Sequence, residues 1–121
     1  KKTEVLWDSY LTEDADMVVV AYGTAARIAK GAIKRLREKG AKIGLFRPIT
    51  LWPFPESKLR ALSTKIKNYL VFEMSTGQML EDVRLALQGY AGIEFHGRPG
   101  GAVPTPSQLA NVIAKIYDKI D

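Results

Sequence analysis

The chain has 121 residues, with 18 lysines and arginines against 13 aspartates and glutamates, one histidine and no cysteine. That length suits one domain, and the missing cysteine excludes disulfides, thiol nucleophiles and cysteine-ligated zinc or iron–sulfur sites on this chain. A single histidine leaves any histidine-based metal site to be completed by carboxylates. The composition fits a reducing, cytoplasmic setting, and no stretch approaches the roughly 20 apolar residues of a membrane span.

In chain order, Glu4 to Leu11 reads as a lead-in that fits an edge strand, antiparallel to its neighbour, with Thr12 to Asp16 as an acidic turn. Met17 to Ala21 is a continuous apolar run, the pattern of a central strand buried on both faces. A helix follows, with Thr24 as its expected cap and Gly40 beyond its last turn. Arg27, Lys30, Lys34, Arg35, Arg37 and Lys39 alternate there with Ile28, Ala32, Ile33 and Leu36. That spacing predicts an amphipathic helix whose basic residues form a solvated face. With no aromatic residue on that helix, nucleic-acid binding is not expected.

Ala41 to Ile49 is the second clear strand, followed by Trp52-Pro53-Phe54-Pro55. Prolines forbid strand pairing there and preset a helix start at Pro55 or Glu56, with Leu59, Leu62 and Ile66 as the buried stripe. Tyr69 to Met74 is the third strand, and Ser75 with Gln78 spells a capping box ahead of Met79, Leu80, Val83 and Leu87. Gly92 to His96 is the fourth. Thr105-Pro106-Ser107-Gln108 is a second capping box, opening a helix with Leu109, Val112, Ile113, Ile116 and Ile120 inward. Strands alternating with helices imply an α/β domain, a mostly parallel sheet covered on both faces.

Ligands of such sheets bind beyond the carboxyl ends of the strands. Tyr22-Gly23-Thr24 lies there and reads as a packed turn or an anion cradle; neither GxGxxG nor a Walker A motif is present. Glu73 closes a strand before a helix, where a carboxylate acts as acid or base or bonds backbone amides; without a partner His or Lys the structural role is favoured. His96 reads as a packing residue, with no acidic neighbour to make a triad. A phospho-acceptor domain is excluded, because its magnesium needs acidic strand ends and these strands end in Ala21-Tyr22-Gly23 and Arg47-Pro48. In His96-Gly97-Arg98-Pro99-Gly100-Gly101-Ala102-Val103-Pro104-Thr105-Pro106 the three prolines remove the amides a phosphate loop needs, so the segment reads as a stiffened strap.

Three blocks carry a resemblance: VVVAYGTAARIAKGAIKRLREKGAKIGLFRPITLWPFP, VFEMSTGQMLEDVRLAL and EFHGRPGGAVPTP. Over nearly its whole length the chain resembles the C-terminal, transketolase-type domain of the alpha subunit of 2-oxoacid:ferredoxin oxidoreductases. The resemblance implies a three-layer α/β/α sandwich on a mixed five-stranded sheet with one antiparallel edge strand. It implies a complex that oxidatively decarboxylates a 2-oxoacid with coenzyme A to an acyl-CoA, carbon dioxide and reduced ferredoxin. Thiamine diphosphate, magnesium and iron–sulfur clusters are expected elsewhere in that complex. The GDG motif with its asparagine is absent here, as are cluster cysteines, so no cofactor, catalytic or metal residue is assigned to this chain. The opening Lys1-Lys2, without methionine, makes a piece of a longer alpha subunit the expectation. Expected partners are the thiamine-binding beta and ferredoxin-like gamma and delta subunits and, through the complex, ferredoxin; neither nucleic acid nor membrane is expected. The candidate interface is Arg47, Trp52, Phe54, Gln78, Arg98, Gly100 and Gly101, residue types that anchor protein contacts, unless the domain's own helix covers Trp52 and Phe54. The alternatives are a free-standing anion- or nucleotide-binding module and a domain of another thiamine-dependent enzyme such as a dehydrogenase beta subunit.

Overall fold

The computed structural model describes residues 6–49, 53–74, 78–97 and 103–120. In chain order the elements are β1 (Trp7–Tyr10), β2 (Met17–Val20), α1 (Gly23–Glu38), β3 (Ile43–Pro48), α2 (Glu56–Leu62), β4 (Asn68–Glu73), α3 (Gln78–Leu87), β5 (Gly92–Gly97) and α4 (Pro106–Tyr117). The strands form one sheet in the order β1-β3-β2-β4-β5. All neighbours are parallel except β1, which pairs antiparallel with β3 at the edge. This is the expected three-layer α/β/α sandwich with one antiparallel edge strand.

The strand order dictates which face each helix covers. The step from β2 to β3 crosses the sheet in the opposite direction to the steps from β3 to β4 and from β4 to β5. With a single handedness of crossover, α1 takes one face while α2 and α3 take the other. The core divides accordingly. Met17, Val19, Ile43, Leu45, Leu70 and Phe72 pack under α1 and α4. Val18, Val20, Phe46, Tyr69 and Val71 pack under α2 and α3. Period-two alternation along strands buried on both sides produces this division.

Local chemistry sets the helix ends. Thr105 and Gln108 close the expected capping box on α4: Gln108 N–H donates to Thr105 Oγ1 at 3.1 Å, and Thr105 N–H donates to Gln108 Oε1 at 3.0 Å. Gly40, at φ 94°, turns the chain out of α1, and the Ala41 N–H closes on the Leu36 carbonyl at 3.0 Å. Arg60 of α2 ties down the far end of α3, donating from Nε to the Ala86 carbonyl at 2.9 Å and from Nη2 to the Leu85 carbonyl at 3.1 Å.

Four expectations are corrected. Thr24 does not cap α1: Tyr22 holds the cap position without a side-chain bond, and Thr24 lies inside the first turn. Gly23 has φ 59° and a Cβ there would meet nothing within 4 Å, so the glycine answers backbone conformation, not tight packing. Ile66 is buried but lies beyond α2, which ends at Leu62. Arg37 leaves the solvated face. Its Nη2 donates to the Leu11 carbonyl at 2.7 Å and to Asp14 Oδ1 at 2.8 Å, and its Nε donates to the Ile43 carbonyl at 3.0 Å. It thereby clamps the β1–β2 connection, where Leu11 has φ 57°. Gly44 passes beneath; a Cβ there would lie 2.7 Å from the Leu11 carbonyl oxygen.

Candidate functional site

At the carboxyl ends of the strands, connections leave neighbouring β2 and β4 for opposite faces of the sheet. This is the switch point where doubly wound sheets hold ligands. On the β4 side stands Glu73, fully buried. The odd positions of β4, Tyr69 and Val71, face α2 and α3, and Glu73 shares their side. Its carboxylate accepts from the Met79 N–H at 3.1 Å and the Leu80 N–H at 3.0 Å, two amides of the first turn of α3. A charge-assisted cap of this kind satisfies orphan donors and meets the positive end of the helix dipole. Glu73 therefore has the structural role. The Ser75–Gln78 box lies partly outside the described residues, and Glu73 does the capping on the amides that follow.

Asp82, one turn on, has its carboxyl pushed above the ordinary aspartate range by burial and by the charges of Glu56, Glu73 and Glu81. The α2/α3 side of this end is thus acidic. His96, on β5, stacks on Phe72 with ring centroids 5.8 Å apart and planes 20° from parallel, in agreement with a packing role.

The described residues do not fit the diphosphate and magnesium of thiamine chemistry. Among the described residues no three His, Cys, Asp or Glu side chains come together as a metal site, and the carboxylate at the switch point is engaged by α3. Clefts of about 320 and 370 Å³ lie at the opposite end of the sheet, around Asn68 at the start of β4.

Of the candidate contact residues, Arg47 stands opposite Asp8 in the β1–β3 register and donates from Nη2 to Asp8 Oδ2 at 3.4 Å. Its side chain is 42% exposed, so the pair leaves guanidinium surface available. Phe54 is half-buried against the core under α2 and α3, so the domain covers it in part. Gln78 opens α3, and its side chain lies outside the described residues. Trp52, Arg98, Gly100 and Gly101 also lie outside them.

An apolar group that the sequence did not suggest lies along the same β1–β3 edge, with Trp7 on the Phe46 face of the sheet and Arg47 on the Leu45 face. Leu6, Trp7 and Ile49 are each more than a third exposed. The Ile49 N–H donates to the Leu6 carbonyl at 2.9 Å, and Trp7 stacks on Phe46 at 5.5 Å. The signal was the adjacent Leu6-Trp7 pair in the lead-in, legible only once the edge strand is paired.

The comparisons match this architecture. The family model for pyruvate:ferredoxin oxidoreductase core domain II matches residues 15–109. The chain is 40% identical over 118 residues to ketoisovalerate oxidoreductase subunit VorB of Methanothermobacter marburgensis, covering 98% of this chain and 32% of that protein. It is 38% identical over 106 residues to 2-oxoglutarate synthase subunit KorA of Methanothermobacter thermautotrophicus, covering 88% of this chain and 28% of that protein. The chain thus spans about a third of the length of these curated relatives. In fold it is similar to a 2-oxoglutarate:ferredoxin oxidoreductase from Magnetococcus marinus, with a TM-score of 0.75 and 21% identity over 93% of this chain and 20% of that one. A split-gene transketolase shares the fold at a TM-score of 0.71 and 18% identity over 92% of this chain and 41% of that one. On the family match, which takes the place of the two alternatives, the chain belongs to the pyruvate:ferredoxin oxidoreductase core domain II family.

Proposed function

We propose that this chain is a bracing and subunit-contact domain within the alpha subunit of a cytoplasmic 2-oxoacid:ferredoxin oxidoreductase. The complex oxidatively decarboxylates a 2-oxoacid with coenzyme A, giving an acyl-CoA, carbon dioxide and reduced ferredoxin. Thiamine diphosphate, magnesium and the iron–sulfur clusters belong to its other domains and subunits. Its partners are the thiamine-binding beta subunit and the ferredoxin-like gamma and delta subunits, with ferredoxin reached through the complex.

The observation that carries this reading is the fate of Glu73. The one charged side chain buried among the described residues is engaged in holding α3, so its carboxylate is committed to the helix start. Contact falls to Arg47, Trp52, Phe54, Gln78, Arg98, Gly100 and Gly101, and Leu6, Trp7 and Ile49 extend that surface with apolar area.

The test is assembly of the complete complex. Trp7→Ser with Arg47→Glu is expected to raise the subunit dissociation constant at least about tenfold, read by analytical ultracentrifugation. Turnover per assembled complex should stay at the wild-type value. Normal assembly with a collapse in turnover per complex would contradict the reading.

A further inference from the structure

Arg27, Lys30 and Lys34 are exposed on α1 and continue, at helical spacings of three and four residues, into the partly buried Arg37, which places the four in one stripe. β1 and the connection after it lie along that stripe, and the two ends meet different surroundings. At one end Arg37 is filled by this chain's own oxygens: both Asp14 carboxylate oxygens, at 2.8 and 3.0 Å, and the Leu11 carbonyl. That pairing holds the Asp14 carboxyl below the ordinary aspartate range.

At the other end a cleft of about 160 Å³ opens between β1 and α1, with Asp8, Tyr10, Arg27, Lys30, Leu45 and Arg47 on its walls. Three cations meet one carboxylate there, an excess of two positive charges, and Asp8 is already bonded to Arg47. Arg27 has no hydrogen bond or ion pair among the described residues, and Lys30 rests over the Tyr10 ring at 4.7 Å from its centroid. The first turn of α1 has no acidic residue and no side-chain cap, so the helix dipole adds to the positive potential.

We propose that this open end is a docking cleft for an acidic segment of a partner protein, whose carboxylates take the position at Arg27, Lys30 and Arg47 that Asp14 takes at Arg37. The length of the stripe favours a segment over one small anion. Arg27 to Lys34 rises about 10 Å along the helix, so several carboxylates are engaged in series. The floor is apolar, from Leu45 and Ala26, and suits the methylenes of a peptide. Tyr10 is covered by Lys30, which leaves no free ring for stacking nucleobases. The inference shares only Arg47 with the proposed subunit surface and stands whether or not that surface holds.

The experiment uses the full-length protein carrying this chain and a fluorescein-labelled hexaglutamate peptide, read by anisotropy. Binding is expected at low salt and should weaken about tenfold or more as salt shortens the screening length. Arg27→Glu with Lys30→Glu should lose at least about tenfold in affinity at an unchanged melting temperature, and Arg47→Gln should lose less. Lys65→Glu with Lys67→Glu, at the amino ends of the strands, should bind as wild type. Four results would overturn the proposal: no binding by the wild type; equal loss in the Lys65 and Lys67 variant; displacement by phosphate or citrate as effective as by unlabelled peptide; or tighter binding of an oligothymidylate than of the peptide.

Discussion

Helices α1 and α3 start alike and are held differently. Each follows a buried, parallel strand, and those strands, β2 and β4, are hydrogen-bonded neighbours. The start of α3 is plugged by Glu73, whose carboxylate takes two first-turn amides. The start of α1 has no side-chain cap and no acidic residue in its first turn; it relies on Gly23 at φ 59° to turn the chain. The difference lies in the last inward residue of each strand. An acid there closes its helix start with its own carboxylate, whereas an apolar end leaves the first turn of α1 without a side-chain cap and the adjoining Arg27 without a partner among the described residues.

Breaking the plug should have the largest effect. Glu73→Gln keeps the shape but sets an amide NH₂ against a helix N–H, and is expected to lose about 2–3 kcal/mol in urea unfolding, with earlier hydrogen exchange at Met79 and Leu80. At the α1 start, Gly23→Ala meets no steric neighbour, so its loss isolates the left-handed backbone, about 1–2 kcal/mol. Thr105→Ala removes a neutral cap from α4 and should lose about 1 kcal/mol, which places a hydroxyl cap below the buried carboxylate. The smallest change separates the two polar groups on the same side of β4. Glu73 is bonded, while the buried Tyr69 hydroxyl has no partner among the described residues, so Tyr69→Phe should leave the unfolding midpoint unchanged or raise it slightly.

Much of this fold was legible in the sequence because its signals are local. Apolar runs bounded by glycine and proline marked the central strands, and Thr105 with Gln108 marked a capping box that the structure contains. Elements set by distant partners were not legible. Arg37 looks like its neighbours on α1 until the β1–β2 connection delivers Asp14 and Leu11, 23 and 26 residues away, to its guanidinium. Thr24 was the better cap by residue type, but the chain turns at Gly23 and enters the helix two residues earlier, with Tyr22 at the cap position. At the site, Glu73 was readable as a cap or a catalyst, and only the direction of its carboxylate decides. The pairing of Arg47 with Asp8 depends on the register of the antiparallel edge, which no local pattern encodes.

Under the proposed function the domain shapes and joins while the reaction groups sit on its companions. The direct measurement is ferredoxin reduction by the purified 121-residue chain supplied with thiamine diphosphate, magnesium, coenzyme A and each of pyruvate, 2-oxoglutarate and 2-oxoisovalerate. The account predicts no reduction above the protein-free rate for any of the three. Sustained, substrate-dependent reduction by the chain without another subunit would contradict it.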